Sequence, residues 1–461
     1  MAKRCPVVVI VGCGFSGATA ALSLRRYCRS AMKVLVFEYR DVHGPGLAYD
    51  SPPKHWIMNG MASRLSAIDE VPDHFVKWLS RSVHSDQSLD VSMELGSHYA
   101  GRREYGRYIE DLLKKGCDQV ANRVALSMVR GSVIRMEAKD QKFHVYTSCG
   151  TLYVADAVVL AIGNQPPRRV FHQLGTHFVE DPWRYSAWAQ IDPKAPLLLV
   201  GTSQTMMDIV CLLVQMGHSG PIWAISRHGL LPHSQASCDG RYSFDRQSLP
   251  SGLTSLIRYL RDSAISAARQ NANWRDVLIA FRPLIQKHWT QLSLGEQMRF
   301  FRHVLPYWRI HRTRVSPQTR DTVLRAIASG QLTVFAARLK SVIEKESGIH
   351  VSLTPRGQDH TIELLVEMAI NCTGPNNNYA DLEDPLVKQL LTDGWIVPHP
   401  NGVGLHVQPS GAVIDRRGKT PNRFYAVGPP CEGTLLECTV IREIRVQAAQ
   451  VARSILRELS A

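Results

Sequence analysis

Between Gly12 and Gly17 the sequence reads Gly-Cys-Gly-Phe-Ser-Gly, and an acid, Glu38, closes the next apolar run. Glycine at Gly12 permits a tight turn, Gly14 lets the backbone approach a pyrophosphate, and Gly17 lets the following helix pack against its strand. Phe15 and Ser16 open that helix, whose N-terminal amides attract phosphate charge. Glu38 offers a carboxylate to the two hydroxyls of a ribose. A second, degraded copy follows: Gly201 keeps the first position, Ser203 replaces the second glycine and Met206 the third, with Gln204 and Thr205 between them. Its second apolar run ends in Ser226-Arg227-His228 instead of an acid. A basic end suits the 2′-phosphate of NADPH, where a carboxylate would repel it; the competing reading is a solvated arginine at a strand end.

These residues require particular elements behind them. Val7 to Val11 is an all-apolar run expected as a strand buried on both faces, and Lys33 to Phe37 as its parallel neighbour. Strand, turn, helix, strand and terminal acid in this order are far more specific than three glycines alone. Two further apolar runs, Ala157 to Ala161 and Ile370 to Gly374, each end in glycine turns. The fold class expected is α/β, with two Rossmann-like dinucleotide-binding domains and a helical insertion. Residues 1–165 and 370–461 are expected to form one discontinuous nucleotide-binding domain and 166–369 the second, with the insert at about 240–317. Leu253, Leu256, Ile257, Leu260 and Ala264 mark one helix face within that insert. Trp274, Trp289 and Trp308 are read first as core and second as lining of a cleft between the nucleotide domains. The stretch Arg-Ile-His-Arg-Thr-Arg at 309–314 reads as an anion clamp or as a solvated basic face.

Composition sets the outer bounds. The 461 residues are 44% hydrophobic and 20% charged, which describes a globular chain with core for two or three domains and excludes a disordered or fibrous one. The formal charge of +14 is spread along the chain, so two polyanionic cofactors explain it better than nucleic acid, the minor reading. Ten cysteines contain no CxxC pair and no zinc-like spacing, which points to reduced thiols, no metal and no redox-active pair. With no apolar run of membrane-spanning length, the expected place is the cytoplasm. Oligomeric state is not legible.

The strands ending at Ala161 and Gly374 resemble those that enter and leave the second nucleotide domain of two-dinucleotide flavoproteins, and the segment 422–456 resembles the strand, glycine turn at Gly428 and long helix that complete their FAD site. That resemblance assigns FAD to the first turn. With GPGLAYDSPPKHWIMNG, RREYGRYI, GTSQTMMD, SRHGLLP and RIHRTR, nearly the whole chain resembles a bacterial FAD/NAD(P)-binding flavoprotein family related to the amino-acid N-hydroxylating monooxygenases. The resemblance implies a flavin-facing place for Asn59 and, just beyond it, Arg64 as a candidate for a substrate carboxylate. It also implies NADPH, dioxygen and a small amine or amino acid as reactants, with oxygen transferred from a flavin C4a-hydroperoxide. The fuller Trp-His-x-Gly-Met pattern of ornithine hydroxylases is absent, which puts an ornithine-like substrate in question. Two alternatives stand beside this reading: a flavin reductase or oxidase that passes electrons to a quinone or carrier protein, and a flavin-bound regulatory or nucleic-acid-associated protein. No histidine is assigned to catalysis; His55 and His406 are read as structural.

Overall fold

The computed structural model describes residues 5–460 except 51–52, 54–55, 84–94, 119–122, 172–174, 176, 186–187, 189, 237–241, 245–248, 270–271 and 347. His55 and Cys238 lie outside the described residues. Strand β1 (Val7–Val11) leads through a glycine turn into helix α1 (Phe15–Tyr27) and back to β2 (Met32–Glu38). With β3 (Val124–Arg130), β7 (Ala157–Leu160) and β15 (Phe424–Ala426) they form a five-stranded parallel sheet in the order β15-β7-β1-β2-β3. Every residue of β7 and β15 is buried, as expected of strands covered on both faces. A small antiparallel sheet of β4 (Val133–Lys139), β5 (Lys142–Thr147) and β6 (Leu152–Ala155) is spliced in before β7.

The second body is a seven-stranded sheet. Its parallel part comprises β8 (Phe178–Val179), β9 (Leu197–Val200), β10 (Ile222–Ser226), the start of β11 (Leu332–Lys345), and β14 (Met368–Asn371). Beyond β11, the strands β12 (Gly348–Pro355) and β13 (Ile362–Val366) extend it antiparallel. Helix α2 (Gln204–Gln215) follows β9 as α1 follows β1. The strand expected at Ile370 to Gly374 begins two residues earlier and pairs with β9 and β8, so the chain crosses back to the first body only after Asn371. There the two crossing segments lie side by side, joined by a Pro167–Pro375 bridge and by Asn371 donating to the Arg168 carbonyl.

Between β10 and β11 the chain forms a lobe of helices, Leu253–Arg269, Trp274–Phe281, Ile285–Gln291, Leu294–Arg299 and Leu305–Arg312. Its first helix buries Leu253, Leu256, Leu260, Ser263 and Ala267, so the inward stripe follows a three-four alternation and leaves Ile257 and the expected Ala264 at its margin. Trp289 is core, and its indole donates to the Gly433 carbonyl at 3.0 Å. The basic stretch behaves differently from both expectations, because Arg312 forks onto the Glu437 carboxylate at 2.8 and 2.5 Å. Arg282 does the same to Glu443 at 2.7 Å. The lobe is thus inserted in the second body yet fastened to the C-terminal segment of the first.

Candidate cofactor and substrate site

The glycines of the first turn divide into two kinds. A Cβ on Gly12 would overlap the Ala161 carbonyl, and one on Gly17 would overlap the Gly12 carbonyl, so both are demanded by the turn itself. At Gly14 an added Cβ meets only the Gly46 Cα, at 3.3 Å. That contact is tight without being an overlap, so the protein's own packing favours glycine there less strictly than at Gly12 and Gly17, and an incoming pyrophosphate adds a demand of its own. Gly428, at a positive φ of 82°, lies against the Ser16 hydroxyl, with its N–H donating to Gln447 of helix α3 (Ile441–Ser460) at 2.8 Å. Amino- and carboxy-terminal turns therefore form one cradle at the N-terminus of α1, and its donors and open face fit a dinucleotide pyrophosphate.

Glu38 is buried at the end of β2, where the sequence places it. Its carboxylate accepts from the Cys13 N–H at 3.1 Å and from the Arg40 guanidinium at 3.0 and 2.8 Å, with the Arg40 N–H at 3.3 Å as a fourth donor. A carboxylate has about four acceptor positions. A ribose reaching Glu38 must therefore take positions that Arg40 holds, a contact the sequence did not reveal. Burial, with Glu38 close by, pushes the Cys13 thiol up to about 12 and keeps it protonated. Cys431 is likewise pushed up to about 12 by burial, and Cys438 donates to the Gly428 carbonyl. The nine described cysteines are all free.

In the second body Gly201 is crowded by the Cys372 carbonyl, as Gly12 is by Ala161. Ser203 stands exposed at the N-cap of α2, and its hydroxyl makes no cap hydrogen bond. Thr205 follows half-buried in the first turn, while the Gln204 amide is spent on the Thr313 and Arg314 carbonyls at 3.2 Å each. Arg227 is exposed just past β10. Strand pairing then adds a residue the motif did not show: Ser226 pairs with Ala336, and the Arg356 N–H bonds the Ala336 carbonyl. The Arg356 guanidinium reaches His228 Nδ1 at 2.9 Å. Burial, then Arg356 and Arg227, lower the His228 pKa. Two guanidiniums and an imidazole share this strand end, and neither arginine has a carboxylate partner among the described residues. Such a cluster fits a phosphate monoester.

The two bodies meet beside the segment after Trp56. Arg102 pairs with Asp208 of α2 at 2.6 Å with both side chains buried, while its Nε donates to the Ile57 carbonyl. Trp56 donates to the Asp208 carbonyl at 3.1 Å. Asn59 accepts at its backbone carbonyl from Gln235 of the second body at 3.1 Å, and the side-chain oxygens of both residues are buried without a hydrogen-bond partner among the described residues. Gln235 had no sequence signal. Arg64 is exposed in the turn Ala62–Arg64, close enough to Tyr99 to act on its phenol together with Arg314. One residue before Gln235, the Ser234 carbonyl accepts from Arg275 of the lobe at 3.2 Å. First body, second body and lobe converge here.

A family model described as FAD-NAD(P)-binding matches residues 9–165. No curated protein matches the chain by sequence. Among solved structures, an ornithine N-hydroxylase of Kutzneria sp. 744 superposes with a TM-score of 0.68 at 15% identity, covering 99% of both chains. A cadaverine monooxygenase from Erwinia amylovora, bound to FAD, does so at 0.69 and 12%, covering 98% of this chain and 95% of that one. The chain has the fold of two-dinucleotide flavoprotein monooxygenases. That fold also carries other chemistry, since a bacillithiol disulfide reductase from Bacillus cereus superposes at 0.56 and 12%, over 98% and 99% of the chains. No described helix is long and apolar enough to cross a membrane, and no group of potential metal ligands occurs among the described residues.

Proposed function

We propose that this protein is an FAD- and NADPH-dependent monooxygenase that uses dioxygen to oxidise the nitrogen of a small amine or amino acid. The observation that carries the reading is the convergence at Asn59 and Gln235 of two nucleotide-binding bodies and the helical lobe. FAD held there would supply the redox chemistry between NADPH and dioxygen. The chain's own tasks follow from its geometry. Gly14, Ser16 and Gly428 hold one pyrophosphate, and Glu38 takes the ribose when Arg40 yields. Gly201 and Ser203 bring the second pyrophosphate to the α2 N-terminus, and Arg227, His228 and Arg356 select the 2′-phosphate. Asn59 and Gln235 carry buried side-chain oxygens without a partner among the described residues where the two bodies meet.

Superposition over nearly the full chain on the ornithine and cadaverine enzymes supports oxygenation. The reduced thiols accord with a cytoplasmic enzyme. The deciding experiment incubates the holoenzyme with NADPH, labelled dioxygen and a panel of amines, and reads hydroxylamine, nitroso or nitro products by mass. Labelled product in step with NADPH consumption is expected. NADPH oxidation that needs a quinone or a carrier protein, with no oxygenated amine, would replace this reading with a reductase.

A further inference from the structure

Arg102 opens the helix Arg102–Asp118, and its contacts reach both bodies. Its backbone N–H donates to the Trp56 carbonyl at 2.8 Å and its Nε to the Ile57 carbonyl at 3.2 Å. A terminal nitrogen meets the Asp208 carboxylate at 2.6 Å, and the guanidinium lies 5.6 and 5.5 Å from the Trp56 and Trp183 rings. Those two rings pack edge to face at 5.2 Å. Asp208 is gripped from the same side at its backbone, where its carbonyl accepts from the Trp56 indole at 3.1 Å. Both charged side chains are 8% exposed. Burial raises the Asp208 pKa and Arg102 opposes the rise, so the ionised carboxylate depends on this partner.

Trp56 and Ile57 run directly toward Asn59 in the first body. Asp208 lies five residues along α2 from Ser203, so the pair acts ~7.5 Å behind the helix end proposed for the second pyrophosphate. The lobe's ion pairs, Arg282 with Glu443 and Arg312 with Glu437, run to the C-terminal segment and hold the lobe, not α2. A buried ion pair adds little stability over apolar side chains of the same size, yet it resists displacement, since a shift of α2 would strand both charges. Resting on the coenzyme half of the reading above, we infer that Arg102 and Asp208 are positioning residues that fix where the second body stands against the first, and so set the rate at which NADPH reduces the flavin. Each nucleotide is held by its own body, so the pair contributes to neither affinity.

The test removes both charges together, as Arg102→Met with Asp208→Leu, because either change alone would leave the other charge buried and unpaired. Spin labels at Lys139→Cys on β4 and Gln215→Cys at the end of α2, both exposed positions, report the distance between the bodies in the FAD-loaded chain, with Cys5→Ser, Cys117→Ser, Cys149→Ser and Cys238→Ser in the background. The double variant should broaden or shift that distance distribution. In anaerobic rapid mixing, its limiting rate of flavin reduction at saturating NADPH should fall at least about tenfold, since a displacement of about 1 Å can cost that much or more. NADP+ affinity by calorimetry and FAD affinity by fluorescence quenching should stay at the parent's values. An unchanged distance distribution, a parent-like limiting rate, or a loss that arises only through weaker nucleotide binding overturns the inference. The two readings fail separately: a parent holoenzyme that NADPH does not reduce overturns the coenzyme assignment and this inference with it, whereas a double variant reduced as fast as a competent parent overturns this inference alone.

Discussion

Replacing Gly14 with alanine separates what the first turn needs for folding from what it needs for flavin. Gly14 has φ −78° and ψ −170°, open to any residue, and the added Cβ would need the Gly46 backbone, with its Cα at 3.3 Å, to give by a few tenths of an ångström. Reduced freedom of the unfolded chain favours the variant by about 0.4–1 kcal/mol. Loss of a favourable N-cap residue opposes this by a similar amount, on the order of 0.5–1 kcal/mol. The FAD-free protein should therefore unfold within about 1 kcal/mol of the parent. Flavin should not be spared, since the methyl group occupies the face that a pyrophosphate must approach. Displacing one or two backbone N–H contacts to a charged phosphate costs about 1.5–3 kcal/mol each, or roughly ten- to hundredfold per contact in affinity. Thermal unfolding of the flavin-free protein and quenching of FAD fluorescence on titration measure the two effects. Gly17→Ala is the control, because its Cβ would overlap the Gly12 carbonyl and the apoprotein itself should be destabilised. A Gly14→Ala protein that binds FAD as tightly as the parent would refute the assignment of that face to the pyrophosphate.

Arg227→Ala and Arg356→Ala should each weaken NADPH by about tenfold and NADH little, measured as flavin-reduction kinetics; equal losses for both coenzymes would assign the pair a general positioning role. Glu437→Gln leaves Arg312 buried beside a neutral amide and should destabilise the protein by about 3 kcal/mol, seen as a lower unfolding temperature and faster proteolysis within 240–317. Trp289→Ala, which empties the centre of the lobe and leaves the Gly433 carbonyl to Asn401 alone, should cost about 3–5 kcal/mol in denaturant unfolding. The depressed pKa of His233 means that the unfolded chain takes up a proton first as acid is added, so stability falls from about pH 6.5 down to about pH 4. His233→Phe should flatten that part of the stability profile, and an unchanged slope would place the titration elsewhere.

Much of this was legible because glycine turns and buried parallel strands constrain sequence locally. Val7 to Glu38 folds as its pattern indicates, since Gly12 and Gly17 answer contacts with the adjacent strand and within the turn itself. What escaped depends on contacts across the sequence. Arg356 reaches His228 only because β11 runs beside both β10 and β12, and no spacing along the chain encodes that adjacency. Gln235 meets Asn59 across the boundary between bodies, and Arg40 hides its role by gripping an acid two residues away. The basic stretch at 309–314 was read for its charge, but its partners Glu432 and Glu437 come more than a hundred residues later. In the lobe's first helix, a one-residue rotation of the apolar stripe exchanged Ala264 for Ser263 and Ala267.

The fastening of the lobe to the C-terminal segment bears on how such a protein can be taken apart. By sequence the lobe is an excursion of the coenzyme-binding half, and an engineer exchanging halves between homologues would move it with that half. Its ion pairs and its central indole belong to 433–443, which lead into the helix supporting the flavin cradle. A chimera cut only at the two crossing strands would join a foreign lobe to a receptor lacking Glu437 and Glu443, leaving Arg282 and Arg312 without their acids. The unit of exchange is therefore three pieces: the second sheet, the lobe, and the stretch from Glu432 through the start of α3.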